Sequence, residues 1–164
     1  MTEPGPIAGR KIGIIADAGA DLAGIGKIRQ AAAKLGATAL VIAPVGGVLG
    51  SGTHKQTVDR TLLTTRSVEF DALVVAGGTT PTGDIRLTIL LQEAFRHCKA
   101  LGAWGDGTAT LEAAGITAGD PGVVTGDTVG KSFTDQLAAA VGLHRAWGRA
   151  PLVMASAVPP ALTS

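Results

Sequence analysis

Hydrophobic positions along this chain fall into two rhythms. Unbroken apolar runs, KIGIIA at 11–16, TALVIA at 38–43 and DALVVA at 71–76, are what parallel strands buried on both faces require. Between the first two, Leu22, Ile25, Ile28, Ala32 and Leu35 recur at helical spacing and Gly36 supplies a stop, so the opening predicts a βαβ unit with a right-handed crossover. Residues 45–70 break the pattern. Gly46-Gly47 and Gly50-Ser51-Gly52 signal turns around a polar stretch, which predicts a small hairpin or excursion at the sheet edge. After the third run, GGTTPTGD leads into a helix with Asp84 as its cap and Ile85, Ile89, Phe95 and the neighbouring leucines as its apolar face. Val123-Val124 reads as the last strand. Ser132 and Asp135 then stand in capping-box spacing before a final helix that buries Phe133, Leu137, Val141, His144 and Trp147.

This alternation predicts an α/β fold: a three-layer α/β/α sandwich, flavodoxin-like, with a mostly parallel sheet and ligands bound outside the carboxyl ends of its strands. Residues 1–9 are expected to form a flexible lead or linker, 10–150 one domain, and 151–164, with three prolines, an extended tail over a surface.

The stretch LGAWGDGTATLEAAG at 101–115 organises the rest. It reads as a buried strand passing through a glycine turn into a helix, the geometry of a nucleophile elbow. At its tip stand Gly105, Asp106 and Gly107, with no Ser, Cys or Thr. The carboxyl-edge residues worth searching are therefore Asp17, the loop from Gly77 through Gly78 and Thr79 to Asp84, and this tip. Asp106 is either an acid or nucleophile, or a carboxylate accepting backbone hydrogen bonds at a helix start; with no paired base the second reading is preferred.

Composition narrows the chemistry further. At 164 residues and 46% hydrophobic the chain can bury one core without metal or disulfide, and a net charge of +1 leaves no footprint for nucleic acid or an anionic membrane. The lone Cys98 and the absence of a signal-peptide pattern after Met1 point to a reducing cytoplasmic setting. Cys98 falls at the frayed end of a helix, where an inert, partly buried thiol is expected. His54, His97 and His144 lie too far apart for a metal site. Gly77-Gly78-Thr79-Thr80 lacks the spacing of a Walker loop, and no GxGxxG follows the first strand. No cofactor or metal is expected.

The order IGIIADAGAD, FDALVVAGG and GAWGDGTATLEAAGI resembles the class I glutamine amidotransferase-like superfamily, which includes the PfpI-type proteases. Carried over by position, that family's Cys falls on Gly105, its next residue on Asp106, and its first-loop Glu on about Ala20. Both halves of the active pair are then missing, and neither glycine nor alanine can replace them. A closer resemblance, from about Arg10 to Pro151, is to the C-terminal domain of large-subunit catalases, which has this fold and lacks the nucleophile. Its closing segment is similar to GKSFTDQLAAAVGLHRAWGRAPLV, with Ser-Phe-x-Asp and His-Arg-x-Trp-x-Arg before Pro.

The resemblance implies a non-catalytic accessory domain that stabilises an assembly and has chaperone-like behaviour. Its implied partners are further copies of itself, a catalase haem domain or unfolded proteins, and not nucleic acid or membrane. Haem ligation and peroxide dismutation would belong to a haem domain that these residues do not contain; the chain is then an excised domain or a free-standing relative. Two other readings stand beside this one: an enzyme with a relocated site on Asp17 and Asp106, and a small-molecule sensor using a vestigial pocket formed by Asp17, Ala20, Gly77, Gly78, Thr79, Gly105, Asp106 and Gly107.

Overall fold

A computed structural model describes residues 7–44, 46–50, 53, 55–62, 65, 69–79 and 85–142. The expected roles of Asp84, His54, His144, Trp147 and the tail at 151–164 lie outside these residues. The three apolar runs form β1 (Lys11–Ile15), β2 (Thr38–Ala43) and, later in the chain, β6 (Ala72–Val75). Within the polar excursion, β3 (Val48–Leu49) and β4 (Gln56–Thr57) pair antiparallel as the expected hairpin, and β5 (Arg60–Thr61) returns to lie beside β2. With β7 (Ala100–Trp104) and β8 (Val123–Gly126) the main sheet has six strands in the order β5-β2-β1-β6-β7-β8, all neighbours parallel. Leaving aside the short edge strand, this is the flavodoxin-like order 2-1-3-4-5.

Alternation of side chains along each strand divides the core in two. Ile12 and Ile14 of β1, Ala72 and Val74 of β6 and Trp104 of β7 face one layer. That layer is closed by α1 (Leu22–Lys34), through Ile25, Ile28 and Ala32, and by α4 (Lys131–Gly142), through Phe133, Leu137 and Val141. Ile15, Leu73, Val75, Leu101 and Ala103 face the other, closed by α2 (Ile85–Arg96) and α3 (Thr108–Ala113). The excursion is tied to the sheet by Asp59, whose carboxylate accepts from the Val41 backbone N–H at 2.8 Å and from the Arg29 guanidinium. In the lead, Ile7 is buried in the first layer and Gly9 N–H donates to the Gly36 carbonyl at 3.0 Å.

The apolar face of α2 differs from the one expected. Leu87, Leu90, Leu91 and Ala94 hold it, while Ile85 and Ile89 are 65% and 45% exposed. Positions 87, 90, 91 and 94 keep the i, i+3, i+4, i+7 spacing of one stripe, and 85 and 89 fall on its flank. Leu35 likewise lies just past α1 as its C-cap, 50% exposed. The expected capping box is not formed. α4 begins at Lys131, ahead of Ser132, so the Ser132 hydroxyl sits within the first turn and accepts from Gln136 Nε2, and Asp135 accepts from Lys131 Nζ.

Three helices end in the same hydrogen-bonded turn. After α1, Ala37 N–H donates to Ala32 O and Gly36 N–H to Ala33 O; after α3, Ile116 donates to Leu111 O and Gly115 to Glu112 O; after α2, Lys99 donates to Ala94 O and Cys98 to Phe95 O. Gly36 and Gly115 hold the left-handed position of that turn in their helices, and Cys98 holds it in α2 with φ of +57°. Cys98 is thus fully buried in an ordered helix stop, not at a frayed end. Cys98→Gly is expected to change unfolding free energy by no more than about 1 kcal/mol, because relief of the left-handed strain offsets the lost side chain. Cys98→Val, β-branched at positive φ, should cost about 2 kcal/mol. Urea melts of the two variants distinguish them; equal losses would refute the backbone argument.

Candidate functional site

At the carboxyl edge, β1 and β6 are neighbours whose chains depart in opposite directions: β1 leads through α1 to β2, and β6 through α2 to β7 on the other face. Such a switch point opens a crevice between the two following loops. Here the loop after β1 brings Asp17 and Ala20, the loop after β6 brings Gly77, Gly78 and Thr79, and the adjacent β7 brings the elbow. The elbow forms as the glycines predict: β7 is buried throughout, Gly105–Gly107 make one 3-10 turn, and α3 follows. Gly105 is exposed with φ of +58°, the left-handed backbone of an elbow tip.

The three segments are knitted by backbone bonds. Asp21 N–H donates to Gly77 O at 2.7 Å, and Gly78 N–H donates to Asp106 Oδ1 at 2.5 Å. Gly78 itself has φ of +81°, and a Cβ there would lie 2.2 Å from Gly19 O and 3.3 Å from Ala20 Cα. Ala20, Gly77, Gly78, Gly105 and Asp106 are therefore brought together. Asp17 instead turns onto its own loop, accepting from Gly19 N–H at 2.9 Å. Thr79 is buried and its hydroxyl donates to Ile15 O at 3.4 Å, and Gly107 is buried beneath the tip against the Val75 and Ala76 carbonyls.

Chemically, this is an elbow without an attacking atom. A Cβ on Gly105 would meet Asp127 O at 3.5 Å and Gly77 Cα at 3.6 Å, ordinary contacts, so the tip has room for a side chain. A backbone N–H such as that of Gly78, facing an elbow from the neighbouring loop, is the kind of donor that stabilises an oxyanion. In this chain it is engaged by the Asp106 carboxylate in a short, charge-assisted bond. Asp106 thus bonds to the neighbouring loop rather than to the helix it precedes; the N-cap of α3 is Gly107, with no side-chain cap. Cys98 lies at the opposite, amino edge of the sheet, two residues before β7 begins.

Two residues that matter here carry no chemical signal in the sequence. Asp21 caps α1, its Oδ1 accepting from Gly24 N–H at 3.1 Å, and its Oδ2 accepts from Trp104 Nε1 at 3.1 Å. Trp104, 1% exposed, immediately precedes the tip and meets Phe133 of α4 edge to face, ring centroids 6.0 Å apart. An aspartate just before a helix is a capping type, but Asp21 was not among the residues singled out from the sequence, and its bond to an indole 83 positions away leaves no trace there. Beside the tip, a cavity of about 310 Å³ lies between β8 and the head of α4, lined by Thr125, Asp127, Thr128, Ser132, Phe133 and Gln136 among others. Among the described residues no three His, Cys, Asp or Glu side chains gather as a metal site, and no helix is long and apolar enough to cross a membrane.

Comparison with known proteins gives a concordant result. The chain is 35% identical over 162 residues to Catalase HPII of Mycobacterium avium, covering 87% of this chain and 23% of that protein. It is 30% identical to Catalase-2 of Bacillus subtilis over 85% of this chain and 21% of the relative. It is 33% identical to Catalase C of Rhizobium meliloti over 92% and 22%. The chain thus spans between a fifth and a quarter of the length of these relatives. The sequence signature of the C-terminal domain found in long catalases matches residues 8–151. Among the described residues that match takes in every strand of the sheet, the elbow and helices α1 to α4, and the chain belongs to this family of catalase C-terminal domains.

Proposed function

We propose that this domain is a non-catalytic accessory unit of a large-subunit catalase assembly, one that stabilises the assembly and shields unfolding chains. The observation that carries the reading is the elbow: a glycine stands at the tip, and the adjacent backbone donor is spent on Asp106. A relocated active site on Asp17 and Asp106 is the less favoured reading: Asp17 accepts a backbone N–H within its own turn and Asp106 one from the neighbouring loop, and neither bond pairs the two carboxylates. The cavity beside the tip favours a second reading, a small-molecule sensor, with its hydroxyl-rich wall as the contact surface. The proposed partners are a catalase haem domain and further copies of this chain, in a cytoplasmic setting.

The residues present do not supply the tyrosinate ligand that holds the haem of a catalase. The sequence contains no tyrosine to act as an axial phenolate, and its one cysteine is locked in the buried stop of α2. The purified chain, titrated with haemin, should therefore develop no saturable Soret band and release no oxygen from peroxide. Stoichiometric haem uptake with oxygen release would overturn the reading. In the same preparation, light scattering from a heat-denatured client enzyme should fall as the chain is added; scattering unchanged at molar excess would remove the shielding role.

A further inference from the structure

On the face away from α2 and α3, helices α1 and α4 leave an open groove of about 600 Å³. Ala31, Leu35 and Val129 supply its apolar part, and Leu35 stands half-exposed although, as a C-cap residue, its backbone bonds would be served by a polar side chain equally well. The border is cationic. Lys27 and Lys34 of α1 and Lys131 of α4 line it, against a single carboxylate, Asp135. Lys131 donates to that carboxylate at 2.7 Å, and the bond and its charge raise the lysine's pKa above the ordinary value. Lys27 and Lys34 have no anionic partner among the described residues. They lie seven residues apart on one face of α1, about 10 Å along its axis, with Ala31 between them and Leu35 one position beyond Lys34.

We propose that this groove docks an acidic amphipathic helix of a separate polypeptide. The matching surface has carboxylates at i and i+7 to meet Lys27 and Lys34, and apolar side chains at i+3 and i+4 to cover Ala31 and Leu35. Apolar contact supplies affinity in such a helix-in-groove site and charge sets orientation and partner choice. Because none of the residues lining the groove belongs to the elbow or makes the bonds that knit it, the inference does not depend on the proposed function.

The test uses the full chain and three labelled 18-residue helical peptides in fluorescence anisotropy at low salt. One carries Glu at i and i+7 around Leu at i+3 and i+4; the second replaces Glu by Lys; the third keeps Glu and replaces Leu by Ser. Only the first should bind saturably, and more weakly as salt rises. K27E/K34E should weaken that binding about tenfold or more and gain affinity for the Lys peptide, a reversal that a misfolded variant could not give. L35S should weaken the first peptide without inverting the charge preference. Binding of the Glu and Lys peptides alike, or of none, would overturn the proposal. Binding that appears only after truncation at residue 142 would assign the groove to this chain's own C-terminal segment, and concentration-dependent self-association abolished by L35S would assign it to a second copy; either also overturns it.

Discussion

Gly78→Ala is expected to destabilise the domain by about 3 kcal/mol or more, while Gly105→Ala costs only about 1 kcal/mol. Both glycines have left-handed φ, +81° and +58°, so conformational strain alone would make the two substitutions alike. Their surroundings differ. The added Cβ at 78 would fall 2.2 Å from Gly19 O and 3.1 Å from Gly19 C, backbone atoms that cannot rotate away. The loop after β1 would have to retreat, putting the Asp21–Gly77 and Gly78–Asp106 bonds at risk together. At 105 the nearest neighbours stand at 3.5 and 3.6 Å. Equal urea midpoints for the two variants would show that the three carboxyl-edge segments are not packed as described. A tolerated Gly105→Ala would also show that nothing steric keeps a nucleophile from the tip.

Trp104→Ala should be the most damaging core substitution near the site, costing about 4 kcal/mol. The indole is fully buried, meets Phe133 edge to face and donates to Asp21, so truncation removes core volume and leaves the capping carboxylate with one partner fewer. Against a typical domain stability of about 5–15 kcal/mol, that is a large fraction. Trp104→Phe retains most of the apolar volume and loses the donor, for about 1–2 kcal/mol. Circular dichroism is the proper readout because the substitution removes a fluorophore. A Trp104→Ala midpoint within error of the parent would contradict the packing, and so would a Phe variant as damaged as the Ala variant.

Much of the fold was legible because strand and helix write different periods into the sequence. KIGIIA, TALVIA and DALVVA announced β1, β2 and β6 almost to the residue, and the glycine turn after β7 announced the elbow. The faces of helices were less secure. Apolar residues exceed what one stripe of α2 can bury, so Ile85 and Ile89 looked like core and lie outside it. Hydrogen-bond partners distant in sequence were not legible at all. The type and position of Asp106 suggested a helix cap, but its partner is Gly78, 28 residues earlier, and only the order of strands brings the two together. Cys98 misled for a related reason: a left-handed stop is normally glycine, so a buried cysteine there reads as a loose end.

In the proposed function the domain acts through the assembly rather than through chemistry of its own. Its most direct test compares a large-subunit catalase stripped of its C-terminal domain with the same protein carrying this chain in that place. The graft should raise the temperature of half-inactivation toward that of the intact enzyme and leave kcat for peroxide unchanged. Half-inactivation at the same temperature with and without the graft, or a kcat that follows the graft while the temperature does not, would contradict the account.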